Sequence, residues 1–560
     1  MSLNKLGLRG GTAVAVVALL AAACGGSSDD KKNTPASGGK GGQLNVFSIS
    51  DFEHIDPQRT YVATNMNFIR LFTRQLTSYK TGSIEASQEL APDLATDTGT
   101  ATDGNKTWKF TLKDGLKYED GSPITTQDIK YGIERSFSPI IDSGPQYFKH
   151  WLVGGEAYKG PYDGKELDSI ETPDAKTIIF RLSKAHADFN YMAALPTSTP
   201  VPKAKDTKAN YDARPFSSGP YKIDVYARGG SKGMTLSRNQ YWSNDDIRKA
   251  LPDTIKVTFL DAKVIDSRLI ASAALDANAV ALDSSVQPEN VAAVNSRPDV
   301  KSRSTAGATG FLRYIAMNTT KGPLKDVKVR QALEWGINKQ DQQTARGGPL
   351  AAGDVATTLI APNLGGFEQY NAYAGEKGDV AKAKQLLAAA GYPNGFTATL
   401  TANTTPKGQA QAVAFQASMK KIGVTIKVKS VDSAVFYDTV GDAKNETEFV
   451  LAGWGPDWPS AISVIPPLFD GRQIVPTGNQ NFSQLNDPAL NAEMDRIAAM
   501  DNLEEANKAW AALDKKIMTD FAPIFPLLNE KAIFLAGKNV KGAYMMSLFG
   551  SIDLSNLSVK

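Results

Sequence analysis

The sequence predicts an α/β protein built from several structural units, and three observations carry that reading. The chain has 560 residues, 42% of them hydrophobic, which is enough apolar material for large cores and, at about 100–200 residues per domain, suggests about three or four units. Residues 396–428 hold two alternating strand patterns joined by a helical one, the mark of a βαβ unit. Residues 85–210 mix strand patterns with a well-marked helix, an α+β unit. No repeat period of about 20–50 residues is visible, which argues against solenoids and propellers.

In chain order, Lys5 and Arg9 precede the apolar run from Thr12 to Ala23. That run is short of the roughly 20 residues that span a bilayer and reads as a signal peptide. It ends in Ala21-Ala22-Ala23-Cys24, and Cys24 is the only cysteine. One cysteine excludes an internal disulfide and a thiolate metal cluster. The string resembles the lipobox of bacterial lipoproteins, with Ala21 where Leu or Val is usual, and this implies lipidation of Cys24 and removal of residues 1–23. Residues 24–43 carry, after Cys24, no apolar residue larger than Pro or Ala and read as a flexible tether with a reach of roughly 25 Å.

The strand TWKFT at 107–111, continuing to Leu112, puts Trp108, Phe110 and Leu112 on one face and turns at Asp114-Gly115. Thr125 and Asp128 form a helix start that leads into Ile129, Ile133 and Phe137, and TIIFRL at 177–182 is a second strand. Farther on, Asp379 caps a helix with Val380, Ala383, Leu386, Leu387 and Ala390 on one face and Gly391 as its stop. The strands at 396–400 and 424–428 flank a helix that ends at Gly423, so they should be parallel neighbours. Leu503, Ala506, Trp510, Leu513 and Ile517 form another helical stripe before Pro523. Such stripes are read as core faces.

Charge narrows the function. Lys and Arg number 62 against 59 Asp and Glu. Without Lys5 and Arg9 the balance is 60 to 59, which offers nucleic acid no attractive field. No G-x-x-x-x-G-K-[ST] or H-E-x-x-H string occurs, and His54, His150 and His186 have no ligand spacing. No metal or cofactor is implied, and any energy source belongs to another subunit.

Six strings in order, at 90–137, 216–242, 314–339, 379–396, 452–461 and 522–543, resemble the extracellular solute-binding proteins of family 5, the oligopeptide and dipeptide receptors of ABC importers. The resemblance covers about residues 44–545. It implies a two-lobed periplasmic-binding-protein-like fold (type II, cluster C) with an extra α+β domain inserted in the first lobe. The expected division is 44–84, 211–307 and 520–560 for the first lobe, 85–210 for the extra domain, and 308–519 for the second lobe. It further implies a monomeric, lipid-anchored receptor on the outer face of the cell membrane. This receptor would enclose a peptide between its lobes by hinge closure and deliver it to a permease with separate ATPase subunits.

An enclosed peptide needs a buried counter-charge for its ammonium, because burying that group alone costs far more than it gains. In the family an Asp in a W-x-x-D string has this role, matched here by Trp454 and Asp457, with Gly455 between them allowing close backbone approach. The competing reading of the string alone is a core Trp and an Asp that caps a turn beside Pro456 and Pro459. Tyr61 and Asn481 fall in segments that flank the family's cleft, with packing or turn formation as their competing reading. Dipeptide-specific members carry an Arg in the strand that corresponds to 397–408. This chain has only Lys407 there, which favours longer peptides. Two alternatives stay open: an oligosaccharide receptor of the same fold, and an exported hydrolase built on carboxylates that leave no fixed motif.

Overall fold

The computed structural model describes residues 39–560, apart from 142, 230–232, 244–246, 374, 445–446 and 501. The signal peptide, Cys24 and nearly all of the tether lie outside the described residues. Among the described residues, no helix is long and apolar enough to cross a membrane.

Three large sheets organise the molecule. In the first, the spatial order is Ala279–Ala281, Gln43–Ser48, Thr254–Phe259, Met234–Arg238 and Tyr221–Tyr226. The first three strands are parallel and the last two antiparallel. Leu44, Val46, Ile255, Val257 and Val280 bury its inner face against Ile265 and Leu269 of the helix Ala262–Ala271, and the C-terminal Leu554, Leu557 and Val559 join the same core.

The second sheet runs Asp354–Val355, Ile524–Leu535, Ser304–Met317, Phe449–Trp454, Thr397–Asn403 and Thr425–Val431. Its last two strands are the parallel pair expected from sequence, joined by the helix Pro406–Lys421, with Thr397 opposite Thr425. Gly423, at φ +88°, ends that crossover. Phe415, Phe449 and Phe525 meet in its core with ring centroids 5.3–6.4 Å apart. Two strands here are unusually long, Ser304–Met317 with 14 residues and Ile524–Leu535 with 12. Phe525, Leu527 and Leu528 lie in the core of the second sheet, whereas Ile533, Phe534 and Leu535 lie in that of the first. The strand Ile524–Leu535 is thus shared between the two cores.

The third sheet, Thr100–Thr102, Thr107–Thr111, Thr177–Arg181 and Ile170–Glu171, is antiparallel. Trp108, Phe110 and Leu112 face its core as the alternation predicts. The helix Thr126–Arg135 starts where the Asp128 carboxylate accepts from the Thr125 N–H and hydroxyl, both at 2.9 Å. The sequence places Phe137 on this helix; it is buried but lies just past the helix end. The apolar core of this third sheet is continuous with Trp458, Ile462, Leu468 and Trp510 from beyond residue 308.

Arg135 ties the third sheet's helix back to the segment before residue 85. Its side chain is fully buried, with Nη2 2.9 Å from Asp56 Oδ2, Nε 3.1 Å from Asp206 Oδ1, and the guanidinium over the Tyr211 ring at 4.7 Å. One cation here neutralises two carboxylates out of water. Arg135→Met leaves both without it, and breaking a buried pair in this way costs about 3–5 kcal/mol. We expect a clear fall in the urea midpoint, whereas an exposed pair such as Lys508–Glu504 should be removable with little change.

Candidate functional site

Phe449–Trp454 ends where Pro456 has no N–H to continue its ladder, and the chain leaves the sheet through Gly455-Pro456-Asp457-Trp458-Pro459. Trp454 is paired with Leu312 and half-buried. Its indole N–H donates to the Ser463 carbonyl at 2.9 Å. At Gly455 a Cβ would stand 2.4 Å from the Phe311 ring, so any side chain would displace that ring.

Asp457 is the centre of the arrangement. It is 6% exposed, and its Oδ2 accepts from the Tyr61 hydroxyl at 2.9 Å and from the Tyr147 hydroxyl. Among the described residues no cation faces it. Burial therefore pushes its carboxyl up to about 7, because two phenol hydrogen bonds only partly offset the loss of water. Tyr61 stands edge-on to Trp454, centroids 6.4 Å apart. Nearby, the buried Tyr79 hydroxyl has no partner among the described residues and feels the same carboxylate. Burial first, and the Asp457 charge second, hold the Tyr61 and Tyr147 phenols far above their ordinary range.

The wall behind Tyr147 is Trp458, which is fully buried and packs edge-on at 4.8 Å from Tyr147 and 5.9 Å from Trp151. The Trp458 indole N–H donates to Asp188 Oδ2 at 2.6 Å. Burial holds the Asp188 carboxyl up at about 6.

The structure therefore brings together Asp457, Trp454, Gly455 and Tyr61. Asn481 has no hydrogen bond to this group among the described residues: it is fully buried, its Nδ2 donates to the Leu485 carbonyl at 2.8 Å, and its Oδ1 accepts from the Ser483 hydroxyl at 2.8 Å. Its side chain is thus spent on its own turn. Tyr147, Tyr79, Trp458 and Asp188 were not singled out from sequence. The histidines are scattered: His54 bonds Asp212 at 2.8 Å, His150 bonds Glu156 at 2.6 Å, and His186 lies flat on Trp151 at 3.5 Å. Among the described residues no group of three or more potential metal ligands occurs.

The model of the bacterial extracellular solute-binding proteins, family 5 (middle), matches residues 89–475. The chain belongs to this family. A solved protein, the clavulanic acid biosynthesis oligopeptide binding protein 2, is 33% identical, with the match covering 94% of this chain and 97% of its own, and superposes with a TM-score of 0.87. The probable D,D-dipeptide-binding periplasmic protein DdpA of Escherichia coli K12 is 25% identical over 89% of this chain and 90% of its own. The periplasmic binding protein DppA from Helicobacter pylori, solved with the peptide STSA, shares the fold with a TM-score of 0.76 at 20% identity, covering 92% of this chain and 99% of its own. As a family 5 member the chain is a solute-binding protein and not an enzyme, with the mixed α/β architecture of periplasmic binding proteins.

Proposed function

We propose that the protein captures peptides by their free amino terminus, with Asp457 as the buried counter-charge and Tyr61, Tyr147 and Trp454 shaping the site around it. The observation that carries this reading is a buried carboxylate that has hydrogen-bond donors but no cation. Both of its hydrogen bonds go to Oδ2, which leaves Oδ1 for a ligand. An ammonium supplies the charge and the donors that the site lacks. The printed names of the relatives, an oligopeptide binder, a D,D-dipeptide binder and a receptor solved with a tetrapeptide, are consistent with this choice of ligand.

In the same reading, residues 44–84, 211–307 and 520–560 act as one lobe, 308–519 as the other, and 85–210 as an added domain that brings Tyr147 to the cleft. Cys24 carries the lipid that holds the receptor at the outer face of the cell membrane. The bound peptide passes to an ABC permease. Calorimetry with a short peptide and its N-acetylated form tests the central claim. The free peptide is expected to bind at micromolar or tighter Kd, and acetylation, which removes the ammonium, to weaken it about 100-fold. Equal affinity for the two forms overturns the reading.

A further inference from the structure

We propose that the end of the first sheet at which the described chain begins is a membrane-docking face: Leu275 enters a bilayer surface rich in anionic phospholipid, and Lys256, Lys301, Lys538 and Lys541 meet its phosphates. The proposal rests on the Cys24 reading only for what keeps this end close to a bilayer.

Four turns meet at this end. Residues 271–278 join the helix Ala262–Ala271 to the strand Ala279–Ala281, residues 536–543 follow Ile524–Leu535, residues 297–303 precede Ser304–Met317, and residues 39–42 lead into Gln43–Ser48. Hydrogen bonds tie them into one surface. The Asn45 amide donates to the Leu275 carbonyl at 3.4 Å, the Asn539 N–H to the Ala277 carbonyl at 2.9 Å, the Lys538 N–H to the Ser272 hydroxyl at 2.9 Å and the Ala536 N–H to the Arg303 carbonyl at 3.1 Å. Lys256 stands beside Asn45 in the parallel ladder. Leu275 is 84% exposed, more than any other large hydrophobic side chain among the described residues, and it follows the exposed Ala273 and Ala274. This tip is held firmly, since the Asp276 N–H donates to the Ala273 carbonyl at 2.9 Å and the Asp276 carboxylate pairs with Arg268. An exposed leucine alone needs no explanation. This one stands among cations that the protein does not neutralise.

Each carboxylate described at this end is already taken by an arginine: Asp253 by Arg238 at 3.1 Å, Asp276 by Arg268 at 2.5 Å and Asp299 by Arg297 at 2.9 Å. Asp245 and Asp246 lie outside the described residues and are matched in number by Lys40 and Lys249. Lys256, Lys301, Lys538 and Lys541 remain. All four are exposed, and none has an ion pair among the described residues. An apolar tip ringed by lysines is the pattern of a surface that lies in the lipid headgroup region.

The occupant follows from where the chain enters. The Gly39 N–H donates to the Lys560 carbonyl at 3.0 Å, and the stretch from Cys24 to Gly39 spans at most about 54 Å, with a coil reach of roughly 20 Å. A lipid on Cys24 therefore keeps this end of the sheet near the bilayer. Each lysine close to an anionic surface strengthens binding about fivefold, so four supply a factor of roughly 600. Such a contact is weak for a free protein and well populated at the millimolar effective concentration that a short tether provides. The strand Gln43–Ser48 starts at this end, and the chain that continues from its far end carries Tyr61 to Asp457. Docking here turns the capture site away from the lipid, toward the side from which peptides arrive.

Vesicle co-sedimentation tests the face on its own, with the unlipidated chain from residue 24, which contains every described residue. Vesicles of phosphatidylcholine alone are compared with vesicles holding an equal share of phosphatidylglycerol, at about 20 mM and about 300 mM NaCl. The anionic vesicles are expected to bind at least about 20-fold better at low salt, and the added salt to remove most of that gain. Lys538→Glu combined with Lys541→Glu should lose about 20-fold or more. Leu275→Ser should lose about fivefold. All three residues are exposed, so their Tm values should match that of the native protein. Lys427→Glu with Lys429→Glu, on the edge strand Thr425–Val431 of the second sheet, should bind as the native protein does. Equal binding to the two kinds of vesicle, or an equal loss in the second-sheet variant, overturns the docking face. Intact mass of the full chain extracted from the membranes of an expressing bacterium tests Cys24 separately. A diacylglyceryl mass without vesicle preference leaves the anchor standing and removes the docking face, whereas vesicle preference with an unmodified Cys24 does the reverse.

Discussion

Asp457→Asn is expected to lose about 30- to 1,000-fold in affinity for a peptide with a free amino terminus, because one partner of a buried, hydrogen-bonded charge pair has been removed. The variant should still fold. Asn keeps the volume and keeps an oxygen to accept from Tyr61 and Tyr147, so the loss reports charge and not shape. The pH dependence gives the same residue a second signature. In the empty site, burial pushes the Asp457 carboxyl up to about 7, while binding an ammonium favours the ionised form and lowers that value. Binding must therefore release a proton below about pH 7, and affinity should fall as the pH drops, by up to tenfold per unit. At the alkaline end the peptide's own amine, with an ordinary pKa of about 7.7–8.0, loses its proton. The expected profile is a bell with its maximum between about pH 7 and 8. The Tyr61, Tyr147 and Tyr79 phenols do not titrate in this range, since burial holds all three far above it. Calorimetry from pH 5 to 9 checks both limbs, and Asp457→Asn should abolish the acid limb. A flat native profile between pH 5 and 7 would count against Asp457 as the anchor.

How much of this site was legible in advance depends on sequence separation. Local patterns read well because their physics is local: alternation faces Trp108 and Phe110 inward, and Asp379 caps its helix by accepting from the Lys382 N–H. The stripe from Leu503 read less well at its first position. Leu503 is 57% exposed because the helix begins there, before its apolar face reaches the core at Ala506 and Trp510. Trp454, Asp457 and Tyr61 were legible only through the family resemblance. Tyr147 donates to a residue 310 positions away and Asp188 accepts from one 270 positions away, and no local string announces a partner at that distance. The Arg313, Arg346, Lys407 and Glu530 cluster was hidden for the same reason. The stretch 397–408 shows only Lys407, whereas Arg313 and Arg346, which both pair with Glu530, come from two other elements.

Trp458→Ala should be the most destabilising single change near the site. The side chain is fully buried, and truncating a buried Trp costs about 3–5 kcal/mol. It also removes the wall behind Tyr147 and, among the described residues, the one side-chain donor to the Asp188 carboxylate. Trp458→Phe helps to separate these effects, since it keeps an aromatic wall while deleting the indole N–H; the ring volume it also loses costs the same at every pH. Leaving a buried acceptor unsatisfied costs about 1–3 kcal/mol, and here the cost should depend on pH. The indole bond favours the ionised form of Asp188, whose carboxyl is held at about 6 by burial. Above pH 6 native Asp188 is charged and needs the donor. Below it the group is protonated in both proteins and the difference shrinks. Urea denaturation at pH 5 and pH 8 should therefore show a gap between Trp458→Phe and native protein that widens at the higher pH, and a constant gap would mean that the bond does not favour the ionised form of Asp188. Because Asp188 lies in the 85–210 segment and Trp458 follows the strand that leads to Asp457, Trp458→Phe should also loosen Tyr147. Its peptide affinity should fall by a smaller factor than that of Asp457→Asn, with the N-acetylation penalty intact.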